Sequence, residues 1–129
     1  MKIQHVAIYV HDMEGEKDFF VKYFGAKASE KYHNFKSGFS SYFLSFDDGA
    51  ILEIMQRPTM EDLTKGTWRT GWHHIAIEVG GRKDVDDLTR RIQEDGYSIV
   101  SGARTTGDGY YESSVLDNEG NSIEIIANR

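Results

Sequence analysis

The string HVAIYV at residues 5–10 returns almost letter for letter as HIAIEV at 74–79, with its histidine 69 residues further on. A second echo joins YFLSFDDGAILEIM (42–55) to SSVLDNEGNSIEII (113–126), where Glu53 and Glu124 stand 71 residues apart. Two near-equal offsets, one at the head and one at the tail of each half, restrict the fold strongly: the second half must repeat the architecture of the first. The chain divides into tandem modules of about 1–57 and 72–129, joined by a linker of about 58–71 that holds the only proline, Pro58. At 129 residues the two modules make up a single domain of ordinary size.

Each module carries the same order of signals. Ile3 to Val10 alternates and is rich in β-branched residues, which predicts a strand. Asp12 is placed to N-cap a helix over Met13–Phe24, in which Phe19 with Tyr23 and Phe20 with Phe24 recur at i,i+4, and Gly25 suits the residue after its end. Strands are expected at about 26–34, 39–47 and 50–56, the last two joined through Asp47-Asp48-Gly49, a hairpin signal. The second module predicts a strand at 73–79 and a helix near 83–95, with Val85, Leu88 and Ile92 as its buried stripe and Gly96 after it. Strands near 97–103, 110–116 and 121–127 follow. In the linker, Met60–Lys65 is expected to form one helical turn. The fold class is α+β: two tandem βαβββ modules whose mixed sheets curl around a cavity, with the helices outside.

Strand parity sorts the chemistry. Successive side chains point to opposite faces, so His5 shares a face with Ala7 and Tyr9, and His74 with Ala76 and Glu78. Glu53 lies between Leu52 and Ile54, and Glu124 between Ile123 and Ile125. In all four strands the polar residue opposes an aliphatic run suited to packing under a helix. By the same parity His73 is expected to face away from His74, and His11 and His33 are read as loop or surface residues. A single strand His or Glu is usually only solvated or hydrogen-bonded. Four of them at equivalent positions with one parity are better explained as ligands of a divalent cation: His5, Glu53, His74 and Glu124. Imidazole suits Zn, Ni, Co or Fe, and carboxylate admits Mn. Four such ligands leave two octahedral positions open for a substrate.

Other classes are excluded by composition. There is no cysteine, hence no disulfide, thiolate metal site or cysteine nucleophile. A net charge of -6 without basic runs argues against nucleic acid or an anionic membrane as partner. The N-terminal residues lack the apolar core of a signal peptide, and no stretch approaches the length of a membrane span, so a cytoplasmic protein is expected.

With these residues in place the chain resembles the vicinal oxygen chelate superfamily, which includes glyoxalase I, bleomycin- and fosfomycin-resistance proteins, epimerases and extradiol dioxygenases. The resemblance runs through both modules, and the order His5, Glu53, His74, Glu124 is similar to that of the compact bacterial glyoxalase I enzymes. It implies a lyase or isomerase that converts the thiohemiacetal of a 2-oxoaldehyde such as methylglyoxal to a 2-hydroxyacyl thioester through a metal-bound enediolate. It also implies a nickel, cobalt or zinc ion, with manganese or iron as further options, and a homodimer. In that scheme Glu124 is the catalytic base and Glu53 the second proton-moving carboxylate. Tyr9, Arg104, Thr105 and Tyr111 are the expected substrate contacts. Tyr9 stands where glutathione-using members carry a basic residue, which leaves the thiol carrier open. An epimerase of the same superfamily is an alternative. So is a small-molecule-binding resistance protein of the bleomycin type, for which the aromatics of GFSSYF (38–43), GYY (109–111), Trp68 and Trp72 would line a groove.

Overall fold

A computed structural model describes all 129 residues and divides into two compact units, Met1–Leu63 and Thr64–Arg129. The first contains β1 (His5–Tyr9), α1 (Met13–Phe24), β2 (Lys27–Ala28), β3 (Tyr32–His33), β4 (Ser40–Ser45) and β5 (Ile51–Gln56). The second contains β6 (His74–Gly80), α2 (Arg82–Glu94), β7 (Ile99–Thr105), β8 (Tyr111–Leu116) and β9 (Ser122–Ala127). The chain is thus an α+β protein of two modules on a βαβββ plan, the first strand after α1 being split into β2 and β3 in the first module, and each module has an open mixed sheet. In the first the strand order is β1-β5-β4-β2, with β3 also on β4; in the second it is β6-β9-β8-β7. In both, the first strand runs parallel to the last, and the remaining pairs are antiparallel.

Local sequence explains the first helix. Asp12 Oδ1 accepts the Gly15 N–H at 2.9 Å, satisfying one of the donors left open at a helix start. Gly25 closes the helix at φ 64°, a left-handed conformation that only glycine adopts without cost, and Ala26 N–H returns to the Phe20 carbonyl at 3.2 Å. Met13, Phe19, Phe20 and Tyr23 are buried. The expected ring pairs form, Phe19 with Tyr23 at 5.1 Å between centroids and Phe20 with Phe24 at 5.8 Å. Beneath them lie Leu44 of β4 and Leu52 and Ile54 of β5, all buried. Burial of side chains of this size contributes roughly 1.5–3 kcal/mol each.

The second helix is held by the same logic with different residues. Asp84 accepts the Gly81 N–H at 2.7 Å. Val85, Leu88 and Ile92 form the buried stripe expected from their spacing, with Val115, Ile123 and Ile125 buried in the sheet. One polar tie crosses this layer: Thr89 Oγ1 donates to the Val85 carbonyl at 2.6 Å and accepts from Ser113 Oγ at 2.6 Å, so neither buried hydroxyl lacks a partner.

Three expectations are corrected. The single strand at 26–34 is two short pieces, β2 and β3, whose register on β4 slips by one residue between them. Ser29 causes the break: its hydroxyl accepts the Phe43 N–H at 2.9 Å, taking the place of a backbone acceptor. Met60–Lys65 forms no helical turn. Its side chains bond elsewhere instead, Asp62 to His11 Nε2 and Lys65 to the Glu119 carbonyl, both at 2.5 Å. The aliphatic face of β1 is also only partly covered, since Val6 remains 39% exposed on this edge strand. The hairpin at Asp47-Asp48-Gly49 does form, with Gly49 at φ 86°.

A polar cluster ties α1 to β4. Tyr42 Oη donates to both carboxylate oxygens of Glu14 at 2.9 and 3.0 Å, with Lys31 Nζ at 3.2 Å and Lys17 Nζ at 3.3 Å. Burial pushes the Glu14 carboxyl up, but these donors outweigh it and hold its pKa below 4.5. A carboxyl depressed on folding stabilises the fold above its unfolded pKa and loses that contribution as pH falls through the folded value. Unfolding curves of the wild type and Glu14→Gln should therefore keep a level stability gap at neutral pH, closing as pH drops below the ordinary glutamate range.

No helix is long and apolar enough to cross a membrane.

Candidate functional site

The repeat seen in the sequence reappears as a repeat in register. In the first module Ala7 of β1 lies opposite Glu53 of β5, and in the second Ala76 of β6 lies opposite Glu124 of β9. Because both pairs are parallel ladders, His5 and His74, two residues before each alanine, share the glutamate's face. The flanking Leu52 and Ile54, and Ile123 and Ile125, point the other way and are buried. Each glutamate's backbone is therefore fixed by the core, while its side chain stands on the uncovered face.

The His–Glu pairs close up within their own modules. His5 Nε2 lies 3.7 Å from Glu53 Oε1, and His74 Nε2 lies 3.0 Å from Glu124 Oε2. The next strand differs between them: Phe43 is registered opposite Glu53, and Ser114 opposite Glu124. Phe43 also sets its ring edge-on to His5 at 6.2 Å. Burial, followed by the neighbouring His73, pushes the His74 imidazole below its ordinary 6.5, with Glu112 pulling the other way. The downward shift favours the uncharged ring, the form that binds metals.

Glu112 is the main group the sequence reading missed. It sits on β8 two residues before Ser114, hence on the face of Glu124, and is only 8% exposed. Its carboxyl is raised above 4.5, first by burial and then by its hydrogen bond to Glu124, with Arg104 acting in the opposite direction. Counting outward from the Asp117–Gly120 turn would have found it, since that turn sets Ser114 opposite Glu124. Arg57 was also missed: its Nε donates to Tyr9 Oη at 3.0 Å, bringing a cation to the strand that carries His5.

The expected substrate contacts separate. Tyr9 follows His5 on the same face of β1. Arg104 is registered opposite Glu112, and its Nη1 donates to Ser101 Oγ at 2.6 Å. Tyr111 is one residue out of phase with Glu112 and turns to the helix side, where Tyr111 Oη donates to Asp86 at 2.5 Å and the Arg82 guanidinium covers its ring at 4.9 Å. Thr105, registered with Tyr111, shares that side. Tyr111 and Thr105 thus lie on the opposite side of these strands from Arg104 and Glu112. His73 also departs from expectation. It precedes β6 rather than lying in it, so strand parity does not govern it, and its Nδ1 lies 2.7 Å from His74 Nδ1. His11 lies in a loop, and His33 is a surface residue as expected, exposed on the short strand β3 with Nδ1 2.6 Å from Ser40 Oγ.

As a donor set, two imidazole nitrogens and two carboxylates fit a borderline divalent cation such as zinc, nickel or cobalt. Each module supplies one nitrogen and one oxygen from this set, and no module gathers three or more His, Cys, Asp or Glu side chains into a group able to hold a metal.

Duplicated βαβββ modules, each presenting a histidine and a glutamate on the open face of its sheet, define a class of small α+β proteins that host many chemistries. The chain belongs to the Glyoxalase/Bleomycin resistance protein/Dioxygenase superfamily, whose family model matches residues 2–125. Members typically bind a divalent metal, commonly act on small molecules and are often dimeric. Among curated proteins, the chain is 25% identical to the uncharacterized protein YqjT of Bacillus subtilis, over 97% of this chain and 98% of that one. Among solved structures, a glyoxylase/bleomycin resistance protein/dioxygenase domain from Frankia superimposes with a TM-score of 0.82 at 15% identity, covering 100% of this chain and 98% of that one. Glyoxalase I from Zea mays superimposes with a TM-score of 0.79 at 21% identity, covering 97% of this chain and 44% of that longer one.

Proposed function

We propose that this protein is a divalent-metal-dependent lyase or isomerase of the glyoxalase I type, acting on the thiohemiacetal of a 2-oxoaldehyde. The observation that carries this reading is the repeated register: alanine opposite glutamate, with histidine two residues earlier, occurs once in each module. His5, Glu53, His74 and Glu124 would hold the cation. When bound, it supplies Lewis acidity that polarises a substrate oxygen and stabilises negative charge developing there.

The chain's own residues do the proton work. Glu124, whose Oε2 faces His74, takes the proton from the carbon next to the substrate carbonyl. Glu53, entering the cycle protonated, delivers its own proton to the neighbouring carbon, and exchange with solvent after product release returns Glu124 to the carboxylate and Glu53 to the acid. Glu112, buried against Glu124, keeps water from one side of that carboxylate. Tyr9 with Arg57 in one module, and Arg104 in the other, receive an anionic end of the substrate. In the bleomycin-type alternative the aromatics would form the binding groove. Tyr42 is buried and bonded to Glu14, which removes it from such a groove. The reading includes a homodimer in the cytoplasm.

The test is elemental analysis of protein loaded with nickel, cobalt or zinc, paired with an assay on methylglyoxal plus candidate thiols. The expected result is stoichiometric uptake, with turnover that disappears on chelation and returns on reloading. Protein that takes up no divalent metal would overturn the enzyme reading. Uptake without turnover on any thiohemiacetal would remove the glyoxalase assignment and leave an epimerase.

A further inference from the structure

Gln4 and His73 stand immediately before His5 and His74, at positions 69 residues apart, so they are equivalent in the repeat. Each touches the same atom of the histidine that follows. Gln4 Oε1 lies 2.5 Å from His5 Nδ1, and His73 Nδ1 lies 2.7 Å from His74 Nδ1. In both cases the other ring nitrogen, Nε2, is the one turned to the glutamate. A single contact between adjacent exposed side chains would carry no weight. Its recurrence on the same nitrogen, in two modules whose preceding residues differ chemically, does.

We propose that Gln4 and His73 are positioning residues, which engage Nδ1 of His5 and His74 so that Nε2 of each ring is the nitrogen offered to a divalent cation. The inference rests on the metal reading above for its purpose, though not for its first measurement. A neutral imidazole carries one proton, and a metal needs the lone pair of the nitrogen that does not. An amide oxygen only accepts, so the Gln4 contact requires the His5 proton on Nδ1 and leaves Nε2 with its lone pair. This is the arrangement in which a ligand histidine's second nitrogen is held by an outer partner. The His73 ring can accept or donate. It can therefore donate to His74 Nδ1 while His74 Nε2–H faces Glu124, or accept from Nδ1–H when the lone pair is needed at Nε2. The first module is thus set in advance, and the second adjusts.

The experiment has two readouts on the full chain. Imidazole nitrogen–proton correlation spectra of the metal-free protein at about pH 8, above the ordinary histidine range, report which ring nitrogen is protonated. Titration with zinc or cobalt ions reports affinity. In the wild type His5 is expected to carry its proton on Nδ1, and in Gln4→Leu to move it to Nε2. Gln4→Leu and His73→Leu should each weaken divalent affinity by about 10–100-fold, the usual effect of losing an outer partner. His73→Gln, which copies the first module, should restore affinity to within about threefold of wild type. Both positions are exposed, so circular dichroism should not change. A His5 proton that stays on Nδ1 in Gln4→Leu, or leucine variants that bind metal as well as wild type, would overturn the inference alone. Wild-type protein that binds no divalent ion would overturn the metal reading and, with it, the purpose assigned to the lone pair.

Discussion

Glu124→Gln is expected to lower kcat/KM on a thiohemiacetal by about 10²–10⁴-fold, the range for loss of a positioned proton-transfer group, while the protein still takes up metal. The amide is nearly isosteric with the carboxylate and keeps an oxygen donor, but it cannot act as a base at neutral pH. Its surroundings also tolerate the change. Ile123 and Ile125 anchor the strand from the other side, and Glu112 can accept from the new amide N–H where it formerly shared a hydrogen bond with Glu124. Metal content and turnover should be measured on one preparation, so that loss of activity is not confused with loss of the ion. Wild-type turnover in this variant would remove Glu124 from the chemistry.

Phe19→Ala should destabilise the protein by about 3–5 kcal/mol, the cost of emptying a buried aromatic site. Phe19 is 2% exposed and meets Phe20 at 5.3 Å, Tyr23 at 5.1 Å and Phe24 at 5.9 Å. Alanine would leave all three rings without their common neighbour. At the entropy typical of a domain this size, the loss corresponds to a Tm lower by roughly 10–20 °C, readable by far-UV circular dichroism on heating. The damage should reach the site as well, because Leu52 and Ile54, which hold Glu53 in place, are buried under the same helix. A Tm within a few degrees of wild type would show that α1 contributes far less to the module than its burial implies.

What could be read from the sequence followed from periodicity. The alternation around Glu53 and Glu124 is a property of single strands, so parity alone put both carboxylates on the uncovered face. The helices carried their own start and stop residues, Asp12 and Gly25 among them, and formed close to where those residues indicated. What escaped depended on neighbours brought in by chain reversal. Glu112 meets Glu124 only because of the register across a turn. Tyr111 loses its place beside Arg104 for the same reason, one residue out of phase. The gap between β2 and β3 comes from one serine hydroxyl bonding its neighbour strand, for which strand propensity has no signal. His73 escaped because the strand begins one residue later than its alternation suggested, which freed the ring to turn onto His74.

The two alanines have a mechanical consequence. Ala7 and Ala76 are exposed and each lies opposite a glutamate in a parallel ladder. A methyl group there leaves a lane beside the carboxylate that a longer side chain would fill. Each glutamate is thus a rigid root carrying a tip with clearance on one side. In the metal-dependent reading proposed above, a carboxylate that alternates between holding an ion and collecting a proton would need that travel, and the strand would provide it without loosening the layer beneath.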